Sequence, residues 1–218
     1  MAVTRIQEWA GVFSSTGTVS LVKGAGAALT ANSRVVVALR RATGTTISSV
    51  PTGFVSVFSS DNGAIILEVY QGKSTGGEES LDFVESGTAM GGSMIECGNI
   101  SLAPNPVDVS AVVQSASAET AATGTTGLTG QADEIAIAVA AWQGGFVTSE
   151  SCATSFTLGS GATPSQPRVS MAWKILSVIG TQSGQWSWTT ARASICGIIT
   201  LKGFPGGYTN LPLRGVGG

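Results

Sequence analysis

Histidine is absent from the 218-residue chain, and only three cysteines are present, Cys97, Cys152 and Cys196. Without imidazole the chain cannot form a Ser–His–Asp or Cys–His nucleophile system or a histidine metal site. The widely spaced cysteines match neither a zinc-ribbon pattern nor an even-numbered disulfide framework. The sequence therefore predicts a protein that is not an enzyme and has no catalytic, metal-binding or cofactor-binding residues.

Charge is also scarce, at 11% of residues with a net charge of −2, and this balance predicts no general attraction to nucleic acid. The longest apolar run, Ile135–Trp142, is far shorter than the roughly 20 residues of a membrane-spanning helix. The first residues lack the pattern of a secretory signal. We therefore expect synthesis in the cytoplasm and no membrane contact. Sparse charge with a mean hydropathy of +0.31 favours packing against neighbouring subunits.

Alternating apolar and polar residues, bounded by Gly, Ser, Thr, Asn and Pro, dominate the chain and predict about eleven strands without a helix. The hairpin signal Asp61-Asn62-Gly63 separates two of them. This pattern predicts an all-β fold, a jelly-roll-like antiparallel β-sandwich. The predicted strands are Thr18–Val22, Arg34–Arg40, Phe54–Phe58, Ala64–Tyr70, Ser80–Val84, Ser93–Cys97, Val107–Ser115, Glu134–Trp142, Arg168–Leu176, Gln185–Thr189 and Ser194–Lys202.

The chain has similar features about 100 residues apart. Ser80–Phe83 and Gln185–Trp188 are both alternating segments, and Cys97 and Cys196 each precede a glycine at the end of an apolar strand. One interpretation is a duplication that gives two pseudo-repeated halves. The alternative is that any β protein rich in Gly and Thr resembles itself to this degree.

The predicted organisation has three parts. Residues 1–10 form an N-terminal arm, residues 11–202 form the β-sandwich domain, and residues 203–218 form an extended C-terminal tail. The halves of the sandwich are roughly 11–103 and 104–202. Between them the small polar segment Ser117–Gly130 is predicted to be a loop or connector.

The main electrostatic feature is an acidic stretch without an intervening Lys or Arg, formed by Glu78, Glu79, Asp82, Glu85 and Glu96. The favoured interpretation is a solvated strand edge whose charge prevents unwanted pairing. The alternatives are an acidic docking surface, a Ca²⁺ site, and the paired carboxylates of a glycoside hydrolase.

Trp186 and Trp188 lie two residues apart and therefore share one face of a strand. Buried, they would fill the core of the sandwich, which is the favoured interpretation. Exposed, they would stack on sugar rings as in a carbohydrate-binding module. Trp142 and Trp173 are expected in the core, and Trp9 at an interface.

The order of the segments resembles that of small β-sandwich proteins in the particles of tailed bacteriophages. The likeness extends over residues 5 to 203 and consists of composition and turn chemistry. The segments that carry it are Arg34–Leu39, the turn Pro51-Thr52-Gly53-Phe54, Val69–Gly72 with Gly76-Gly77, Ala121–Gly127 before Ile135–Ala141, and Ile199–Gly203.

This resemblance implies a non-enzymatic virion structural protein, located in the virion. A minor tail or tail-tip component is favoured, with a capsid decoration protein of the phage head as the first alternative. A carbohydrate-binding module is the alternative from another class. The implied partners are other virion proteins, tail or major capsid subunits, together with copies of the chain itself and a host-surface glycan.

Overall fold

The computed structural model describes residues 2–9, 13–14, 17–22, 26–87, 90–144, 147, 149–153, 155–159 and 169–204. All regular structure in these ranges is β-strand, and none of it is a helix that could span a membrane. The strands are β1 Thr4–Trp9, β2 Phe13–Ser14, β3 Thr18–Val22, β4 Arg34–Ala42, β5 Ile47–Ser49, β6 Phe54–Asp61, β7 Ile65–Lys73, β8 Ser80–Glu85, β9 Met90–Gly98, β10 Val107–Ala122, β11 Glu134–Trp142, β12 Ser151–Cys152, β13 Thr157–Leu158, β14 Val169–Leu176 and β15 Gln185–Lys202.

Two large antiparallel sheets have the same strand order. The first is β1-β9-β4-β7-β6 and the second is β10-β15-β11-β14-β13. Each of these five strands of the first sheet thus has a counterpart in the second, at the same place in the sheet and in the same order along the chain, while the short strands β2 and β12 pair additionally with β9 and β15. The chain therefore folds as two topologically equivalent halves, and the predicted all-β sandwich is confirmed.

Each half also has a smaller layer over the outer face of its large sheet. In the first half this layer is the separate sheet β3-β8-β5. In the second half it is built from the ends of two long strands and from β12, because Ala121 and Ser151 pair with Trp186 and Ser187 of β15. A large and a small antiparallel sheet connected in this order form a jelly roll.

The long strands of the second half correct two sequence predictions. Gln185–Thr189 and Ser194–Lys202 were expected as separate strands, but they form the single strand β15. Ser117–Gly130 was expected as a loop, but its first six residues continue β10. A run of small polar residues here pairs with β15, so tertiary pairing outweighs the low strand propensity of the segment.

The two halves pack face to face through their large sheets. Val36, Leu67 and Ile95 of the first half meet Ile137 and Ile199 of the second, and all are at most 1% exposed. Each such side chain stabilises the fold by about 1.5–3 kcal/mol when fully buried. This central core joins the halves into one sandwich.

A separate core lies inside each half. In the first, Leu81 and Phe83 of the small layer cover the outer face of β4. In the second, Trp186 and Trp188 cover the alanine-rich outer face of β11. These two pairs are the Ser80–Phe83 and Gln185–Trp188 segments of the sequence analysis, and they hold equivalent positions.

The two cysteines used to argue the duplication are not equivalent. Cys97 faces the central core, whereas Cys196 faces the core of the second half. Their pairing also differs, because Cys97 lies opposite Arg34 at the start of β4, whereas Cys196 lies opposite Ala140 near the end of β11.

Three predicted turns form as expected. Asp61-Asn62-Gly63 connects β6 to β7, with Asn62 N–H donating to the Ile65 carbonyl at 3.2 Å. Phe54 N–H donates to the Pro51 carbonyl at 3.1 Å, which closes the Pro51–Phe54 turn. Gly63, Gly53, Gly76 and Gly77 all have positive φ, which only glycine adopts readily.

The predicted arm and tail are described in part. Residues 4–9 of the arm form the edge strand β1, paired with β9. Of the tail, Gly203 and Phe204 are described, and the prediction for residues 205–218 lies outside the described residues. The sequence pattern also missed the short strands β2, β5, β12 and β13.

The contact between the halves can be tested at Gly197 of β15, where a Cβ atom would lie 2.5 Å from Cζ of Phe58. We expect Gly197→Ala to lower the free energy of unfolding by about 1–3 kcal/mol through overpacking. In a Phe58→Ala background the same change should cost much less, as measured by urea denaturation. Gly127→Ala, with its nearest neighbour 3.8 Å away, is the control. Equal costs in both backgrounds would contradict this packing.

Candidate contact surfaces

The acidic stretch does not form one site. Glu78 closes its own loop by accepting hydrogen bonds from Ser74 Oγ at 2.7 Å and from the N–H of Thr75 and Gly76 at 2.8 Å each. Burial acts in the opposite direction, but the hydrogen bonds from Ser74 and Thr75 lower the pKa of Glu78 to about 2. This carboxylate is therefore a structural cap of the loop before β8.

Two other acids of the stretch are buried in separate places. Glu96 is 0% exposed and accepts hydrogen bonds from Gln7 Nε2 at 2.6 Å and Thr30 N–H at 2.7 Å. Glu85 is 5% exposed and accepts a hydrogen bond from the Thr45 hydroxyl. The expectation of a solvated strand edge is thus wrong, because β8 is the central strand of its sheet. Only Glu79 and Asp82 are exposed.

The described residues contain no group of three or more Asp, Glu or Cys side chains placed to hold a metal ion. The acids that the sequence brings together therefore separate in the fold. Because successive residues of β8 and β9 point to opposite faces, these acidic side chains lie on different faces. Each forms its contacts with a different loop or strand.

The tryptophan pair lies in the interior. Trp186 and Trp188 are 0% and 4% exposed and pack edge-on against Trp142 at centroid distances of 6.1 and 5.3 Å. They offer no face to a sugar ring. Trp9, expected at an interface, is 1% exposed in the first-half core, which corrects that prediction. Trp173 is half-buried, and the guanidinium of Arg5 lies 5.4 Å from its ring centroid.

All three cysteines are free thiols. Cys97 and Cys196 are buried in different cores, and burial raises the pKa of Cys196 to about 12. Cys152 is half-buried, and burial raises its pKa to about 11. A thiol with a raised pKa is a poor nucleophile at neutral pH, so these side chains act as small packing groups.

Sequence reasoning missed a buried carboxylate pair at one end of the second half. Lys202 Nζ lies 2.8 Å from Asp108 Oδ1, and Gly130 N–H donates to Asp108 Oδ2. Beside them, Glu134 is 0% exposed, and neither of its carboxylate oxygens accepts a well-aligned hydrogen bond from a described residue, although the Thr200 hydroxyl is near. Glu134 opens the apolar strand β11, and its burial depends on pairing with β14 and β15.

This arrangement changes the acidity of the pair. Burial raises the pKa of Glu134 to about 7, the nearby Asp108 adds to the rise, and Thr200 and Lys202 oppose it. For Asp108 burial acts against the change, yet Gly130 N–H and Lys202 lower its pKa. Below about pH 7 Glu134 therefore keeps its proton, and the pair carries the one negative charge of Asp108, which Lys202 balances.

A groove of about 400 Å³ runs beside the edge strand β1. Its lining has hydroxyl, amide and apolar groups but no ionisable side chain. The other edge of β1 makes no backbone hydrogen bond to a described residue. The backbone groups of such an edge can hydrogen-bond an extended segment of a partner, and the uncharged groove can hold side chains of that segment. The groove is lined by Thr4, Ile6, Thr30, Ala31, Asn32, Ser33, Gly98, Asn99, Leu102 and Phe204.

At a second surface, hydrogen bonds from a ladder of threonines join two chain segments. Thr123, Thr126 and Thr129 recur every third residue, and all are at most 4% exposed. Their hydrogen-bond partners are every second residue of the opposite segment, namely Gly180, Gln182 and Gly184. Thr126 N–H donates to the Gln182 carbonyl, and Gln182 N–H donates to Thr126 Oγ1, both at 2.9 Å. Thr123 with Gly184 and Thr129 with Gly180 repeat this reciprocal pair.

In this threonine ladder a side-chain oxygen replaces the carbonyl that a regular β partner would offer. Buried N–H groups are thereby satisfied without strand periodicity. The residues between the threonines point outwards, and Leu128 is 69% exposed. Across the ladder, Val178 and Ile179 are 69% and 57% exposed, and Ile175 at the end of β14 is 41% exposed. We call these four side chains the apolar tip.

Comparisons with known proteins leave the family open. No protein-family model matches the chain, and no curated protein matches it. Among solved structures, the chain is similar to the crystal structure of the conserved protein of unknown function PA5104 from Pseudomonas aeruginosa PAO1. The match has 9% identity and a TM-score of 0.29, and it covers 93% of this chain and 100% of the other. A match this weak supports no argument about function.

The buried carboxylate gives a pH prediction. Folded Glu134 keeps its proton up to about pH 7, whereas an unfolded Glu releases it near pH 4.3. The free energy of unfolding should therefore fall on the order of 3 kcal/mol as pH rises from about 4 to 7.5. Glu134→Gln should remove most of this dependence and be the more stable protein at pH 8. Urea denaturation across this pH range measures the free energy of unfolding. If it depends on pH in the same way for the native protein and for Glu134→Gln, the prediction is contradicted.

The threonine ladder gives a second prediction. Thr126→Val removes the acceptor of the buried Gln182 N–H and should cost about 1–3 kcal/mol of unfolding free energy. The neighbouring Thr125 is exposed, so Thr125→Val is a control of identical chemistry that should change stability by less than about 0.5 kcal/mol. Thermal or urea denaturation measures both. Similar values for the two variants would mean that the hydroxyl does not replace a backbone carbonyl.

Proposed function

We propose that the protein is a structural protein of a tailed-bacteriophage virion, a minor tail or tail-tip component that works through contacts with copies of itself and with other virion proteins. The observation that carries this proposal is the apolar tip, four exposed apolar side chains on two chain segments that the Thr129–Gly180 hydrogen bond joins, next to Leu128 on one side and Ile179 on the other. Scattered exposed apolar residues are ordinary, whereas a cluster of them is typical of an interaction site.

The threonine ladder makes the tip suitable for assembly. A surface that is already ordered loses little conformational entropy when a partner binds. Reciprocal hydrogen bonds at three successive threonines fix Leu128 on one side and hold the segment that carries Ile179 on the other. In a particle the same contact is repeated, so a modest individual affinity is sufficient.

The edge strand β1 supplies a second contact of another kind. The edge of β1 that pairs with no described residue can accept a strand from a neighbour, and the adjacent groove can receive uncharged side chains. Contacts of this type depend on backbone hydrogen bonds and shape. They suit a surface with few charged groups.

The interior placement of the tryptophans weighs against the carbohydrate-binding alternative. A module that stacks on sugars needs exposed aromatic faces. Among the described residues, the exposed large hydrophobic side chains are all aliphatic. A role as a capsid decoration protein would use the same surfaces in a different place, and copy number separates it from a tail component.

The direct test is quantitative mass spectrometry of purified particles of the phage that encodes the chain. A few to about a dozen copies per particle are expected for a tail-tip component, where multivalent contacts repeat around one axis. Hundreds of copies would instead indicate capsid decoration. Absence of the chain from particles would overturn the proposal.

The role of the tip is tested by complementation with the variant Leu128→Ser/Val178→Ser. We expect its incorporation into particles to fall about tenfold or more, because a contact loses its apolar centre. Val22→Ser/Val55→Ser is the matched control, since these valines are 49% and 50% exposed elsewhere on the first half. Equal incorporation of the two variants would show that the tip is not the contact.

A further inference from the structure

The guanidinium of Arg192 has no hydrogen-bond or ion-pair partner in the described part of the chain, and its Nε is shielded from solvent. The other described arginines differ. Arg41 donates to Glu68 at 2.8 Å, Arg34 donates to Gln71 and two backbone carbonyls, Arg5 lies near Glu8 and Trp173, and Arg40 also has a partner. Arg192 is half-buried, and its shielded Nε has counterparts in Arg40 and Arg41, but the rest of its guanidinium also has no partner among the described residues, which sets it apart from the other described arginines.

Arg192 lies in a pocket of about 330 Å³ with an open mouth. Ser117 and Gln143, which supply a hydroxyl and an amide, line the pocket with Gly144, Ala191 and Ala193. Gly144 has a φ of +81°, and a Cβ there would lie 3.0 Å from Nη1 of Arg192. Glycine at this turn therefore leaves room beside the guanidinium that any other residue would fill.

The corresponding end of the first half, where β4 ends as β11 does in the second, shows how a guanidinium is neutralised internally. Arg41 lies there at the far end of β4, where Glu68 and the neighbouring Thr45 accept its hydrogen bonds and Glu85 binds Thr45. In the second half, Trp142 ends the counterpart strand β11, and Ser170 lies on the counterpart of the strand that carries Glu68. Ser170 donates to Glu150 Oε1 at 2.7 Å, and among the described residues no carboxylate, Glu150 included, forms an ion pair with Arg192.

We propose that Arg192 forms a binding site for a single carboxylate, with Ser117 and Gln143 as neutral hydrogen-bond donors. A planar guanidinium fork matches a carboxylate in a two-point contact. The pocket offers one positive charge, which balances one carboxylate and leaves a phosphate dianion half-neutralised. Its volume admits an Asp or Glu side chain or a small organic acid. The site is independent of the proposed function.

The test uses the full-length protein labelled with ¹⁵N, and it follows the side-chain Nε–Hε signals of the arginines. Acetate and succinate are added at constant ionic strength, with chloride and inorganic phosphate as separate arms. We expect a saturable shift of the Arg192 signal with the carboxylates, a weaker one with phosphate, and none with chloride. The signal is assigned by its loss in Arg192→Lys.

Variants separate the site from general charge. Arg192→Gln should weaken acetate binding, followed through the backbone amides of residues 143 and 144, by about tenfold or more, and Arg192→Lys by several-fold, because lysine keeps the charge but loses the two-point contact. Lys73→Gln removes one exposed positive charge elsewhere and should leave binding unchanged. If the Arg192 signal shows no saturable shift at carboxylate concentrations up to about 100 mM, the proposal is overturned. Tighter binding of phosphate, or equal loss in Lys73→Gln, would also overturn it.

Discussion

The fold depends on one constraint, which is that the central strand of each large sheet must be covered on both faces. Residues 34–41 of β4 are all buried, as are all residues of β11. A strand that is apolar on both faces needs a layer on each side. One face is covered by the other half, which forms the central core. The other face is covered by the small layer of the same half. The double jelly roll is the arrangement that meets both requirements at once.

This constraint explains how much of the fold the sequence could predict. Strands such as β3 and β11 were predicted with their observed bounds because their apolar patterns are strong and local. The edge strand β1 was missed, because its pattern TRIQEW carries mixed polarity and its pairing with β9 is more than 80 residues away in sequence. The threonine ladder was missed for another reason. Its period of three belongs to neither a strand nor a helix, so a search for those periods interprets it as a loop.

The site residues were harder to predict than the strands. Glu96 and Glu134 look like surface acids, because the apolar residues beside them predict a covered strand but do not show that the cover extends over the charged position itself. Their burial follows from register, which places Glu96 opposite Val35 and Glu134 between Leu176 and Lys202. A shift of one residue would bring either side chain to the opposite face. Arg192 is similar, because only the folded structure shows that no described residue forms an ion pair or hydrogen bond with its guanidinium.

The halves share a topology but differ in how they fill the end of their interior. The first uses Arg41, Glu68 and Tyr70, and burial together with Glu68 raises the pKa of Tyr70 to about 12. The second uses three tryptophans. In all, three arginines and four glutamates are buried among the described residues, which makes the surface poorer in charge than the composition implies. A surface with few charged groups costs little desolvation free energy when a partner covers it. Several charged side chains are thus buried in the interior, and the surface that remains is suited to contacts with other protein subunits.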